Sequence, residues 1–199
     1  MTFYLRLALV VFKGVVLLGL SALAHAQPVV YTIDPSHTFV TFEAKHMGAS
    51  TSRGRWDKKE GQITLDKVAK TGRAEITLEM ASISTGVAPF DGRLKGEDFF
   101  DVAKFPTAKF VGTQFKFEGD KITEVAGELT LLGKTNPVTL KAFSSFTCYT
   151  NTRIQREVCG GDFDTTILRS LWGMTNGLAN NTIPDSVRLV IQVEAIKTQ

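Results

Sequence analysis

The chain has 199 residues, 43% of them hydrophobic, and a formal net charge of +3. That is one domain's worth of sequence, and with no Lys/Arg cluster on any single segment it offers no electrostatic footprint for nucleic acid. Beyond the amino-terminal stretch, no run is long and apolar enough to span a bilayer.

Residues 1–26 read as a signal peptide: a short cationic start at Arg6, an apolar run through Leu20, then Ala24-His25-Ala26 in small-x-small order. Lys13 interrupts the run and no basic stop-transfer flank follows, which argues against a membrane anchor. Cleavage after Ala26 leaves residues 27–199 as one domain and implies the periplasm or secretion. The formal charge then falls from +3 to +1, because the leader carries Arg6 and Lys13 and no acid.

From Val29 onward the rhythm is alternation of period two. It runs through "TFVTFEAKH", "GQITLD", "RAEITLEMASI", "KFVGTQFKFEG", "EVAGELTLLG", "NPVTLKAFSSF", "FDTTIL" and "SVRLVIQVEAI". Turn signals fall at Lys59-Glu60-Gly61, Thr71-Gly72, Gly119-Asp120 and Gly133 to Pro137. Their spacing predicts antiparallel hairpins and about eight to ten strands in an all-β barrel or sandwich. No fixed-period repeat, low-complexity tract or linker suggests a second domain.

Parity assigns the faces, since side chains two apart point the same way. Val40, Phe42, Ala44 and His46 share one face; so do Gly54 with Trp56, Ile63 with Leu65, and Ala74, Ile76, Leu78 with Met80. Val125, Gly127, Leu129, Leu131, then Val138, Leu140, Ala142, and Val187 through Ala195 continue the set. Opposite faces carry Glu75, Glu79, Glu128, Lys141 and Arg188, so the barrel is wet outside and dry inside. Small residues on the dry face either concede space to a ligand or fit the taper of a packed core; parity leaves both open.

Candidate chemistry is sparse. "DPSHT" (34–38) holds Asp, Ser and His, but triad partners converge in space rather than in sequence, and a local turn is the expected role. His37 and His46 lie nine apart, on opposite faces of one strand, which disfavours a shared metal site. The glycines match no phosphate loop. Cys148 and Cys159, with no C-x-x-C spacing, read as a structural disulfide closing the end of a hairpin.

Two stretches break the alternation. "FDGRLKGEDFFDVAKFPTAKF" (90–110) concentrates phenylalanines; a helical turn or two over Asp91 to Phe100 places Phe90 and Leu94 on one side and extends Phe99 and Phe100 toward it, making either a lid or a plug for one barrel end. "LRSLWGMTNGLANNTIPD" (168–185) is the second.

The ordered set "YTIDPSHTFVTFEAKHMGASTSRGRW", "GQITLD", "LKGEDFFDVAKFPTAKF", "VAGELTLLGKTNPVTL", "ILRSLWGM" and "DSVRLVIQVEA" resembles the YceI-like family of secreted lipid-binding proteins. The resemblance implies an eight-stranded antiparallel lipocalin-like β-barrel with one or two short helices, no enzymatic activity and no cofactor. It also implies a tunnel holding an isoprenoid, a quinone or a fatty-acyl lipid. Combined with parity, it nominates Val40, Phe42, Ala44, His46, Trp56, Ile76, Leu78 and Met80 as ligand contacts on strands. Phe90, Leu94, Phe99, Phe100 and Phe110 come from the first irregular region and Trp172 and Met174 from the second. Arg93 and Arg169, with His46, are the candidate donors to a polar head. Two features depart from the commoner family pattern: the cysteine-closed "CYTNTRIQREVC", and Trp172 in "LWGM".

The expected role is therefore periplasmic binding, sequestration or transport of a long apolar lipid such as a polyisoprenoid or isoprenoid quinone. Extracellular capture of lipophilic antibiotics, a stress-response scaffold with a solid core, and a hydrolase using His37 or His46 are the rival expectations. Aromatic-flanked barrel openings also suit a homodimer contact or transient contact with a membrane.

Overall fold

The computed structural model describes residues 27–144 and 146–198; the expected signal peptide lies outside them. The strands are β1 (Val29–Ile33), β2 (Phe39–His46), β3 (Ser50–Trp56), β4 (Lys59–Asp66), β5 (Thr71–Glu79), β6 (Ile83–Ser84), β7 (Thr107–Glu118), β8 (Lys121–Leu131), β9 (Lys134–Ala142), β10 (Thr147–Asn151), β11 (Arg156–Leu168) and β12 (Ser186–Lys197). One α-helix, α1 (Ala88–Lys95), and two 3-10 turns complete them.

Every pairing is antiparallel, and β11–β12 closes the sheet into a ring of eight ordered β11-β9-β8-β7-β5-β4-β1-β12. The remaining strands lengthen these eight. β1 and β2 share one edge of β12, Ile33 facing Ala195 and Val40 facing Ile191. β9 and β10 likewise share an edge of β11.

The break between β1 and β2 is "DPSHT". Proline has no N–H to offer a ladder, and the buried Thr38 bridges the gap: its Oγ1 donates to the Glu194 carbonyl at 3.0 Å and accepts from the Glu194 N–H at 3.3 Å.

Several local readings are corrected. Lys59-Glu60-Gly61 is the start of β4 rather than a turn; a Cβ at Gly61 would fall 2.2 Å from the Glu75 carbonyl oxygen, so glycine there permits close strand approach. The helix spans 88–95 and stops at Gly96, which leaves Phe99 and Phe100 in the turns that follow. Pro89 in its first turn needs no N–H partner, and Asp91 accepts from the Thr85 N–H (2.7 Å) and hydroxyl (2.6 Å), tying the helix to β6. In β7 the pairing slips between Gly112 and Gln114, so the inward parity of Phe110 passes to Phe115 and Phe117.

The barrel interior divides into two ends. At one, Tyr31, Ile33, Leu65, Ile122, Phe163 and Ala195 pack into a closed core. At the other, Val40, Phe42 and Trp56 from the strands and Met80 just after β5 meet Leu94, Phe99 and Phe100. Outside, charges pair across strands, Lys109 with Glu75 and Arg188 with both Glu43 and Asp164, while Arg73 reaches the same Glu75 along β5. A membrane-spanning barrel has the reverse arrangement, apolar outward.

Cys148 and Cys159 face one another across β10 and β11 and are bonded, fixing the hairpin at the closed end. A loop of this size is worth about 3 kcal/mol in the chain-entropy treatment. The Cys148→Ser/Cys159→Ser double variant is expected to melt about 6–12 °C lower, since each kcal/mol moves Tm by about 2–4 °C at this length. Differential scanning calorimetry of the two proteins measures it; an unchanged Tm would mean the hairpin is held by its ladder alone.

Candidate ligand-binding cavity

The end opposite the closed core encloses a cavity of about 580 Å³. That volume lies within the range of small-molecule sites. Val40, Phe42 and Ala44 of β2, Trp56 of β3 and Leu78 of β5 form part of its wall because they alternate inward; Met80 follows β5 directly. Leu129, Leu131, Val187 and Leu189 continue the wall from β8 and β12.

One side is closed by the first irregular segment. Phe90 and Leu94 sit four apart on α1, and Phe99 and Phe100 fold back beneath it, the Phe100 N–H donating to the Leu94 carbonyl at 3.0 Å. Phe100 meets Trp56 edge-on, ring centres 5.6 Å apart, and Phe42 packs on the same indole at 5.8 Å. Trp56 Nε1 is the buried side-chain nitrogen without a hydrogen-bond partner among the described residues.

The exposed lining residues mark the mouth. They are Lys45, His46 and Met47 at the β2–β3 turn, Arg93 on α1 and Asn180 on the 173–185 loop. The turn and the loop are joined, the Met47 N–H donating to the Thr182 carbonyl at 3.1 Å.

Fourteen of the residues nominated from sequence line this cavity, Met174, Arg93, Arg169 and His46 among them. Three do not. Ile76 packs against the closed core, Phe110 lies between the two halves, and Trp172 is buried behind the wall with Nε1 donating to the Leu129 carbonyl at 3.0 Å.

Arg169 lines the cavity but is not available as a head-group donor. It is 3% exposed, and its guanidinium donates to the carbonyls of Pro184, Met174, Asn176 and Ile183 at 2.7–3.0 Å. It holds the 173–185 loop in place. Burial draws its pKa down, and the nearby Asp185 carboxylate opposes this.

The small inward residues also act differently from the expectation that they concede volume. A Cβ at Gly54 would lie 2.5 Å from the Phe42 ring, and one at Gly127 would lie 2.1 Å from the Val111 carbonyl oxygen, so neighbours already fill both places. Ala142 and Ala195 belong to the closed end. Only Ala44 of that set borders the cavity. The hollow comes instead from α1 and the 173–185 loop spanning the barrel end without filling it.

"DPSHT" is not a relay. Both Ser36 Oγ (3.1 Å) and Asp34 Oδ2 (2.8 Å) approach the same His37 nitrogen, Nδ1, whereas nucleophile and acid must occupy opposite ring nitrogens. Burial pushes the Asp34 carboxyl up, but hydrogen bonds from Ser36 and His37 outweigh it and bring it to about 2. The Asp34 hydrogen bond and charge raise the His37 pKa.

The pair therefore stabilises the fold most above the unfolded Asp value of about 3.9 and below the unfolded His value of about 6.5. Its His37 part is lost as pH rises through the raised folded pKa, and its Asp34 part as pH falls toward about 2. The His37→Gln variant is expected to lose Tm less steeply than the parent between about pH 6 and 8. Parallel Tm–pH profiles decide this; superimposable slopes would remove His37 from the linkage.

The cluster Cys148, Glu157 and Cys159 has metal-ligand chemistry only in name, because the two sulfurs are bonded to each other. Glu157 instead accepts from the Tyr31 hydroxyl and from Lys67.

Comparison with known proteins covers most of the chain. The YceI-like domain model matches residues 31–195. A UPF0312 protein of Pseudomonas syringae pv. tomato is 39% identical over 131 residues, covering 63% of this chain and 68% of its own. BcnA of Burkholderia cenocepacia has a similar fold, with TM-score 0.67 at 24% identity over 82% of this chain and 99% of that one. So does a polyisoprenoid binding domain from Saccharophagus degradans implicated in plant cell wall breakdown, with TM-score 0.60 at 16% identity over 85% and 99%. A ring of eight antiparallel strands, hollow at one end and walled by apolar side chains, carries this match from its first strand to its last: the chain belongs to the YceI-like family of non-catalytic barrels.

Proposed function

We propose that the cavity holds the chain of a long apolar lipid, such as a polyisoprenoid or an isoprenoid quinone, and that the protein sequesters or carries it in the periplasm or outside the cell. The observation that carries this is the cavity itself: about 580 Å³ bounded by aliphatic and aromatic side chains from both the barrel and α1, open on one polar side. The Saccharophagus degradans domain of the same fold, described as binding polyisoprenoid, supports the choice of lipid. Each buried CH2 contributes about 0.8 kcal/mol, so a tail of about fifteen carbons contributes on the order of 12 kcal/mol. That exceeds much of the range of about 4–15 kcal/mol that association costs. The amino-terminal leader and the disulfide support an oxidising compartment.

The two tryptophans provide the test, because Trp56 borders the cavity and Trp172 does not. In a Trp172→Phe protein, titration with a prenyl lipid is expected to change Trp56 emission saturably. Organic extraction of gently purified protein is expected to release a stoichiometric lipid. Extracts without lipid, together with unmoved Trp56 emission and no thermal shift across prenyl lipids, would overturn the reading.

A further inference from the structure

The cavity's ionisable lining is one-sided. Lys45 and Arg93 stand at the mouth, His46 follows Lys45 at the end of β2, and among the described residues no aspartate or glutamate lines the cavity. This contrasts with the outer face of the same barrel, where Arg53, Arg73, Lys109 and Arg188 each meet a carboxylate within 2.6–3.1 Å. Neither Lys45 nor Arg93 has such a partner among the described residues.

Arg93 is moreover positioned. Its guanidinium lies over the Phe99 ring, 5.6 Å from the ring centre, and Phe99 is itself part of the apolar wall. A fixed cation therefore sits where the greasy surface ends. Ser52, Asn176, Asn180 and Thr182 add neutral hydrogen-bonding groups beside it.

An apolar chamber with an unmatched cationic rim complements an amphiphile whose head is anionic. A neutral quinone needs only the amides and hydroxyls, and a cationic head meets like charge without compensation. We propose that the ligand is a lipid with an anionic oxygen head, a carboxylate or a phosphate monoester, seated between Lys45 and Arg93. This rests on the lipid-binding reading above and narrows it to one class of head group. Guanidinium and ammonium groups both suit such oxygens, the first by paired N–H donors and the second as a point charge.

The experiment compares farnesyl phosphate, farnesol and farnesylamine, which share one tail, by titration of the Trp172→Phe protein at low salt. Exposed charge pairs are individually weak, so farnesyl phosphate is expected to bind about tenfold tighter than farnesol, with farnesylamine weakest. Raising the ionic strength and the Lys45→Gln/Arg93→Gln double variant should each close most of that gap. The farnesyl phosphate affinity should fall several-fold further than the farnesol affinity in the variant. Both side chains are exposed at the rim, and an Arg93→Lys variant that retains the preference separates charge from any loss of packing on Phe99.

Equal affinity for all three compounds, or tightest binding of the amine, would overturn the anionic head while leaving the lipid cavity standing. Binding of none would count against the cavity reading itself. Inorganic phosphate is expected to compete only weakly at millimolar concentration. If it binds alone as tightly as farnesyl phosphate, the rim is an anion site independent of any lipid, and the inference falls.

Discussion

The Ala44→Trp variant is expected to lose lipid binding by about tenfold or more while keeping its fold. Ala44 is half-buried on β2 and borders the cavity, so an indole there extends into void rather than into packed atoms. Displacing even two tail carbons costs about 1.6 kcal/mol at about 0.8 kcal/mol each, which is already more than tenfold. The same exchange at Ala195, 2% exposed in the closed core, meets Tyr31, Phe163 and their neighbours with no room to receive it. Overpacking there costs about 1–3 kcal/mol or more, so Ala195→Trp should melt well below the parent or fail to fold. Tm and bound-lipid content of both variants locate the hollow end: an Ala44→Trp protein that still copurifies with a full complement of lipid would mean that the chain of the ligand lies elsewhere.

That contrast also shows where sequence reading was sufficient and where it was not. Alternation gave the faces of β2, β5, β8 and β12 correctly, because a strand with one wet and one dry side has no other way to distribute Val40, Phe42, Ile76, Leu78, Leu129 or Leu189. It could not tell which end of the barrel each inward residue would occupy. Ile76 and Leu78 are neighbours on one face, yet the first packs in the closed half and the second borders the cavity. Gly54 and Gly127 looked like conceded volume because composition records what a residue lacks and not what its neighbours put there; Phe42 and the Val111 carbonyl fill those positions.

The mouth was the least legible part. Ser52, Asn176, Asn180, Thr182 and Ile183 come from the β2–β3 hairpin and from an irregular loop with no period to read. Lys45 has the parity of the outer face and still reaches the rim, as a long side chain at a strand end can. Arg169 was legible as a cation near the cavity but not as a clamp, since its four acceptors are backbone carbonyls supplied by the fold of residues 174–184. The "NNTIPD" chemistry of that loop could at most have suggested that it needed an internal donor.

Removing that donor should loosen the mouth without touching the barrel. An Arg169→Met protein keeps an unbranched chain of similar reach but leaves the carbonyls of Met174, Asn176, Ile183 and Pro184 without their guanidinium. A buried acceptor left unpaired costs about 1–3 kcal/mol, and water entering from the mouth recovers part of it, so a net loss of about 3 kcal/mol is expected. That corresponds to about 6–12 °C in Tm. Arg169→Lys should fall between, because an ammonium offers three donors from one atom and cannot span carbonyls spread over residues 174–184. Gly177, Asn180, Thr182 and Ile183 all border the cavity, so the same change should speed ligand release more than it slows uptake. Hydrogen exchange is the direct measurement. In Arg169→Met, amides of residues 174–184 should exchange faster while those of β11 and β12 remain protected. Uniformly faster exchange across the barrel would instead make Arg169 a support of the whole fold, and unchanged exchange would mean that the loop is held by its own turns and by Thr182 rather than by the buried guanidinium.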